Sequence, residues 1–189
     1  MGKDLEEIFF GKYSSEECDD KKGGDRVVKA ITTGVFHVPV DNQVPDSNDI
    51  INIYFKNPSS KVLTAKFLVE FSPPGVPAGV QNPEISSPSI GYWTVKVLPH
   101  HSLVIVVTGP SSPPAFGTWR FSFWGDIDRK EKKNKLSVEV IAGRIFGGGP
   151  DLAFNNAGAT FPHALFVDAE IEVNGPAIPV PVGGIISVS

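Results

Sequence analysis

The sequence predicts an all-β protein: an antiparallel two-sheet sandwich of the jelly-roll type, with an N-terminal extension. Three observations predict it. After residue 25, apolar and polar residues alternate with period two in run after run, the spacing of half-buried strands. The 189 residues include 19 Gly and 17 Pro, and most of these fall between the alternating runs as turn formers. No segment beyond residue 25 carries the 3.6-residue apolar period of a helix. An immunoglobulin-like sandwich is the alternative architecture, but its Cys–Trp–Cys spacing cannot be built from one cysteine.

Residues 1–25 read as an arm and linker, and residues 26–189 as the sandwich domain with an extended, Pro-rich C-terminus. In the arm, Leu5, Ile8, Phe9, Phe10 and Tyr13 supply either a short amphipathic helix or an extended apolar segment. A polar, acidic run follows and ends in Gly23 and Gly24, the composition of a flexible linker. The body then offers strands at 27–38, 49–56, 61–71, 91–98, 102–108, 118–125, 135–145 and 164–173, with a short one at 185–188. In the third, Ala65, Phe67, Val69 and Phe71 share a face; in the fourth, Trp93, Val95 and Val97 do. Trp119, Phe121 and Phe123 share another, as do Leu136, Val138 and Val140. Residues 103–107 are continuously apolar, which suits a central strand or one covered on both faces. Residues 56–60 and 98–102 read as hairpin turns and 126–134 as a charged hairpin tip. The Pro-rich stretches at 71–91 and 109–116 read as long loops.

Charge and composition narrow the function. The whole net charge of −4 lies in the arm, which holds eight acids and four bases; the body is neutral, and neutral surfaces associate readily. A pI near 5.5 argues against a nucleic-acid binder. The N-terminus lacks the basic and apolar regions of a signal peptide, and no 18-residue apolar run predicts a membrane span. Synthesis in the cytosol without a signal peptide is expected. In Asn57-Pro58-Ser59 the proline blocks N-glycosylation of Asn57.

No catalytic residue, cofactor site or metal site is expected. The pattern Gly-x-Ser-x-Gly is missing, and the Gly147, Gly148, Gly149 run lacks the Lys and Ser or Thr of a phosphate loop. His100 and His101 are adjacent in a turn and point apart; His37 and His163 stand alone. Asp126, Asp128 and Glu131 resemble a calcium-loop fragment without its central Gly, so a solvated tip is the simpler reading. Asp168, Glu170 and Glu172 alternate along one strand as an outward acidic row, opposite Leu165, Val167, Ala169, Ile171 and Val173; calcium is its alternative use. Tyr92, Trp93, Trp119 and Trp124 are candidates to stack on a surface glycan, although Trp93 and Trp119 lie on core faces and only Trp124 points away from one. Cys18, in an acidic run, is a poor nucleophile and a candidate for an intermolecular disulfide.

The run Ile53, Tyr54, Phe55, Lys56, Asn57, Pro58, then 63–71, then Trp93 to Pro99 and Ser102 to Val107, resembles small jelly-roll subunits of bacterial spore surfaces, including endospore-appendage filaments. The resemblance is one of cadence over residues 27–145. It implies a signal-less subunit with an N-terminal connector that carries cysteine, the place the arm and Cys18 occupy here. The family carries several cysteines and this chain one, so the resemblance leaves covalent cross-linking between subunits without its usual means. The expectation is a structural, non-enzymatic, self-assembling homo-oligomer or polymer on a spore surface, in an extracellular filament or in a virion, its arm contacting a neighbour. A viral capsid or tail jelly roll and a carbohydrate-binding module are the alternatives.

Overall fold

In the computed structural model the described residues are 26–38, 50–72, 85–87, 91–108, 117–127, 135–145 and 154–188. They form thirteen strands: β1 (Arg26–Thr32), β2 (Phe36–His37), β3 (Ile50–Lys56), β4 (Leu63–Ser72), β5 (Ile85–Ser87), β6 (Tyr92–Val97) and β7 (Ser102–Thr108), then β8 (Thr118–Gly125), β9 (Ser137–Ile145), β10 (Phe154–Phe161), β11 (Val167–Val173), β12 (Ala177–Pro179) and β13 (Ile185–Ser187). One 3₁₀ turn, His163–Leu165, separates β10 from β11. The fold is an all-β sandwich. Sheet A runs β11-β1-β8-β4-β6-β12, with β2 also on β8 and β5 on β4; sheet B runs β10-β9-β3-β7-β13. Its strand order keeps the β4–β6 hairpin inside sheet A.

The main core lies between the sheets and follows the predicted faces. Ala65, Phe67, Val69 and Phe71 of β4 and Trp119, Phe121 and Phe123 of β8 meet Ile51, Ile53 and Phe55 of β3 and Val138, Val140 and Ala142 of β9. Phe55, Phe67 and Phe123 form a triangle with ring centroids 5.9–6.0 Å apart, within the range of favourable aromatic pairs.

Several expectations need correction. The long first strand is broken: Thr33 and Gly34, the latter at φ 68°, interrupt it, and the Thr33 hydroxyl accepts from the Phe121 amide across the gap. β5, β10 and β12 were not foreseen. The sheets are mixed rather than antiparallel, because β12 runs parallel to β6 and β13 parallel to β7. The C-terminus is thus a strap that lays one short strand on each sheet's edge and buries Ile186 and Val188. The turns at 56–60 and 98–102 are not hairpins, nor is 126–134: each joins strands of different sheets. Asp126 is no solvated tip residue. Its carboxylate accepts from the Thr64 amide at 2.9 Å, and its own amide donates to the Thr64 carbonyl.

Two of these crossovers are tied by one buried side chain. The Asn57 amide nitrogen donates among the carbonyls of Lys61, Val97 and Leu98 at 2.7, 2.9 and 3.1 Å. Its oxygen accepts from the amide and the hydroxyl of Ser59. The backbone completes the knot, with Asn57 donating to His101 and His100 donating to Ser59. His100 adopts φ 58°, a left-handed geometry that non-glycine residues enter only under constraint.

Sheet A also has an apolar outer face. Ala30, Leu68, Tyr92, Trp124 and Val173 form a second, smaller core on the side turned away from sheet B. β1 pairs with β8 only through Ile31 and Thr32; its first half departs with β11 as a two-stranded ribbon. The ribbon folds back over sheet A, because the Arg26 guanidinium donates to the Tyr92 hydroxyl at 2.7 Å. On a flat sheet, β1 and β6 would stand about 14 Å apart. The connection from β11 to β12 demands the same curl: residues 174–176 join opposite ends of the sheet order, about 24 Å apart if flat, and four Cα steps span at most about 15 Å. Arg26 and Lys66 both lie over the Tyr92 ring, 5.2 and 5.5 Å from its centroid.

Asn57→Ala leaves three carbonyls to find new donors in a buried site, and each orphaned group costs about 1–3 kcal/mol. Urea unfolding of this variant should show a loss of at least about 3 kcal/mol. Lys61→Ala, next to the same knot but exposed, should stay within about 0.5 kcal/mol of the parent.

Candidate functional site

The residues singled out in the sequence fall into three groups. Leu5, Ile8, Phe9, Phe10, Tyr13 and Cys18 lie outside the described residues, as do Asp128, Glu131 and the Gly147–Gly149 run. The aromatic candidates for glycan stacking are described and buried: Trp93 and Trp119 in the main core, Tyr92 and Trp124 in the second. None of these four rings presents an open face to a sugar. Trp124 points away from the main core as expected, but the curled ribbon covers it.

The acidic row is described and exposed, and its setting differs from the expectation. Asp168, Glu170 and Glu172 stand opposite Ile31, Lys29 and Val27 of β1, on the side of sheet A that carries the main core. The alternate row packs outward: Ile171 and Val173 join the second core, while Leu165 and Val167 remain exposed. The ribbon's curl is the reason, since it turns the apolar row onto Tyr92 and Trp124 instead of onto sheet B. Among the described residues no three His, Cys, Asp or Glu side chains are grouped to hold a metal ion. His101 and His163 serve backbone groups: Nδ1 of His101 lies 2.6 Å from the Pro99 carbonyl, and Nδ1 of His163 accepts from the Val138 amide. Glu70 and Arg120, cross-strand neighbours on the outer face of sheet A, form a two-pronged ion pair at 2.6 Å.

The outer face of sheet B is the surface that sequence reading missed. Register places Thr160, Ile141, Asn52, Val106 and Ile185 in a single row across β10, β9, β3, β7 and β13. The row below it holds Glu139, Tyr54 and Val104. An outward sheet face is normally polar, yet here Ile185 is 58% and Val104 39% exposed. Asn52 sits at the centre, 1% exposed, donating from Nδ2 to the Tyr54 hydroxyl while its Oδ1 has no hydrogen-bond partner. Beside Tyr54 opens a cavity of about 290 Å³, lined by Lys56, Ser102, Ser137, Glu139 and His163. The continuously apolar run 103–107 suits a central strand or one covered on both faces; β7 is central, between β3 and β13, and its outer-face residue Val106 is buried while Val104 stays exposed.

Comparison with protein families, with curated proteins and with solved structures finds no match for this chain.

The unpaired Asn52 oxygen yields a direct test. Replacing both partners of a buried hydrogen bond by apolar groups of similar shape is close to neutral or stabilising. Asn52→Leu combined with Tyr54→Phe, which removes the bond and the unpartnered oxygen together, should therefore raise the urea midpoint or leave it unchanged. A loss above about 1 kcal/mol would contradict an unpartnered oxygen at Asn52.

Proposed function

We propose that this chain is a structural, non-enzymatic subunit that assembles with copies of itself, its N-terminal arm contacting a neighbour. The observation that carries the reading is the pair of exposed apolar side chains Val104 and Ile185, on the adjacent strands β7 and β13 at the outer face of sheet B. Isolated surface apolar residues need no explanation, whereas neighbouring ones on adjacent strands fit a contact surface. The neutral body and an arm with five large apolar residues support the same reading. The spore-surface, extracellular-filament or virion setting is proposed with it, on the resemblance of residues 27–145 in cadence to spore-appendage subunits. Among the described residues no helix is long and apolar enough to cross a membrane.

Burying three of the five arm side chains contributes roughly 4–9 kcal/mol before ordering is charged, and ordering the arm costs a comparable amount. Docking is therefore conditional on a partner surface. Light scattering should find the full chain in species far above 20.3 kDa. Deletion of residues 1–22 should leave the β-type far-ultraviolet spectrum intact and return the protein to a monomer. Unchanged assembly of the truncated chain would rule the arm out.

A further inference from the structure

We infer that Asn174 is a self-modifying residue, whether or not the chain self-assembles. With Gly175 it closes a succinimide and reopens as isoaspartate, and the lengthened main chain then loosens the β1–β11 ribbon from sheet A.

Of the nine asparagines, Asn174 alone is followed by glycine. Asn57 and Asn82 precede proline, which has no amide N–H to attack with, and Asn52 and Asn57 are buried. Asn174 and Gly175 are both exposed, in the connection between β11 and β12. Gly175 sits at φ 74° and has no Cβ to stand between its amide nitrogen and the neighbouring side chain. A nucleophile held one residue from its target acts at a high effective concentration. The deprotonated Gly175 nitrogen attacks Cγ of Asn174, and the bond from Cγ to the side-chain nitrogen breaks, releasing ammonia. Water then adds to one of the two ring carbonyls. Opening at the side-chain carbonyl gives aspartate; opening at the main-chain carbonyl gives isoaspartate, whose chain runs through Cβ. The sum is an amide and water giving a carboxylate and ammonium, with nothing oxidised or reduced.

The turn is anchored at both ends. On one side Val173 is 2% exposed, belongs to the second core and pairs with Arg26. On the other, the Pro176 carbonyl accepts from the Tyr92 amide at 3.1 Å, and a Cβ added at Gly91 would stand 2.4 Å from its oxygen. Residues 174–176 make the whole connection, and it closes the curl of sheet A. An isoaspartyl link adds one main-chain atom and lengthens the path by about 1.5 Å. Close-packed anchors do not absorb such a change without one of them moving. β1 holds β8 only at Ile31 and Thr32, whereas β6, which carries Tyr92, pairs with β4 from Trp93 to Val97. The ribbon is therefore the side that yields. The new carboxylate stands in solvent, where an added charge costs little, so the extra atom is what acts.

Incubation of the purified full chain at mildly alkaline pH, followed by digestion and mass spectrometry, tests the modification. The side-chain amide of Asn174 should be lost ahead of those of Asn52, Asn57, Asn155 and Asn156, and an L-isoaspartyl methyltransferase should then label the same peptide. N174Q, whose longer side chain closes a ring only slowly, should take no label. An Asn174 still intact when a synthetic peptide of residues 170–179 has converted would overturn the proposal, since the folded turn would then hold the two groups apart. Hydrogen exchange reads the second step. In the converted chain the paired amides of β1 and β11 should exchange at least about threefold faster than in the fresh chain, with those of β3 unchanged. N174D, freshly prepared, carries the charge without the extra atom and should exchange at the fresh parent's rate. Equal exchange before and after conversion, or an N174D as fast as the converted chain, would overturn the loosening.

Discussion

The sandwich depends on Asn57. Two chain crossings between the sheets, β3 to β4 and β6 to β7, come together at one end of the molecule, and neither has a ladder of its own to hold it. A buried crossing exposes carbonyls that need donors. One amide side chain serves three of them, from Lys61, Val97 and Leu98, and Ser59 saturates the other end of the same side chain. With both crossings tied, β4 and β6 pair in one sheet while β3 and β7 pair in the other, and the aromatic faces of β4 and β8 meet β3 at core distance.

The second constraint is the curl of sheet A. Because the β1–β11 ribbon folds over Tyr92 and Trp124, the outer face of this sheet is covered by the chain itself. On sheet B the outer row is covered at its centre, where Asn52 and Val106 are buried, and open at Ile185, with Val104 beside it. Both outer faces are thus covered at their centres and carry exposed apolar side chains at their margins, Val167 on sheet A and Val104 and Ile185 on sheet B.

How much of this was legible in the sequence follows from physical range. Period-two faces such as Phe67, Val69 and Phe71, or Trp119, Phe121 and Phe123, are local, and the core was read from them correctly. Turn chemistry is also local, but it does not say whether a turn closes a hairpin or crosses between sheets; Asn57 decides that through partners 40 and 41 residues away. β10 was missed because Asn155, Asn156 and Gly158 are poor strand formers, and its ladder carries two register shifts. β12 was missed because it is three residues long and ends on Pro179, which can serve only at an edge. The outer face of sheet B was half legible: the run 103–107 reads as a central strand or one covered on both faces, and β7 is central, between β3 and β13. The arm residues and Cys18 were read from composition alone.

The proposal that copies of this sandwich assemble with one another is tested most directly by electron microscopy of the purified full chain in negative stain over a range of concentrations. The account predicts particles built from repeats of one domain's dimensions. Isolated particles of a single domain's size at every concentration would contradict it.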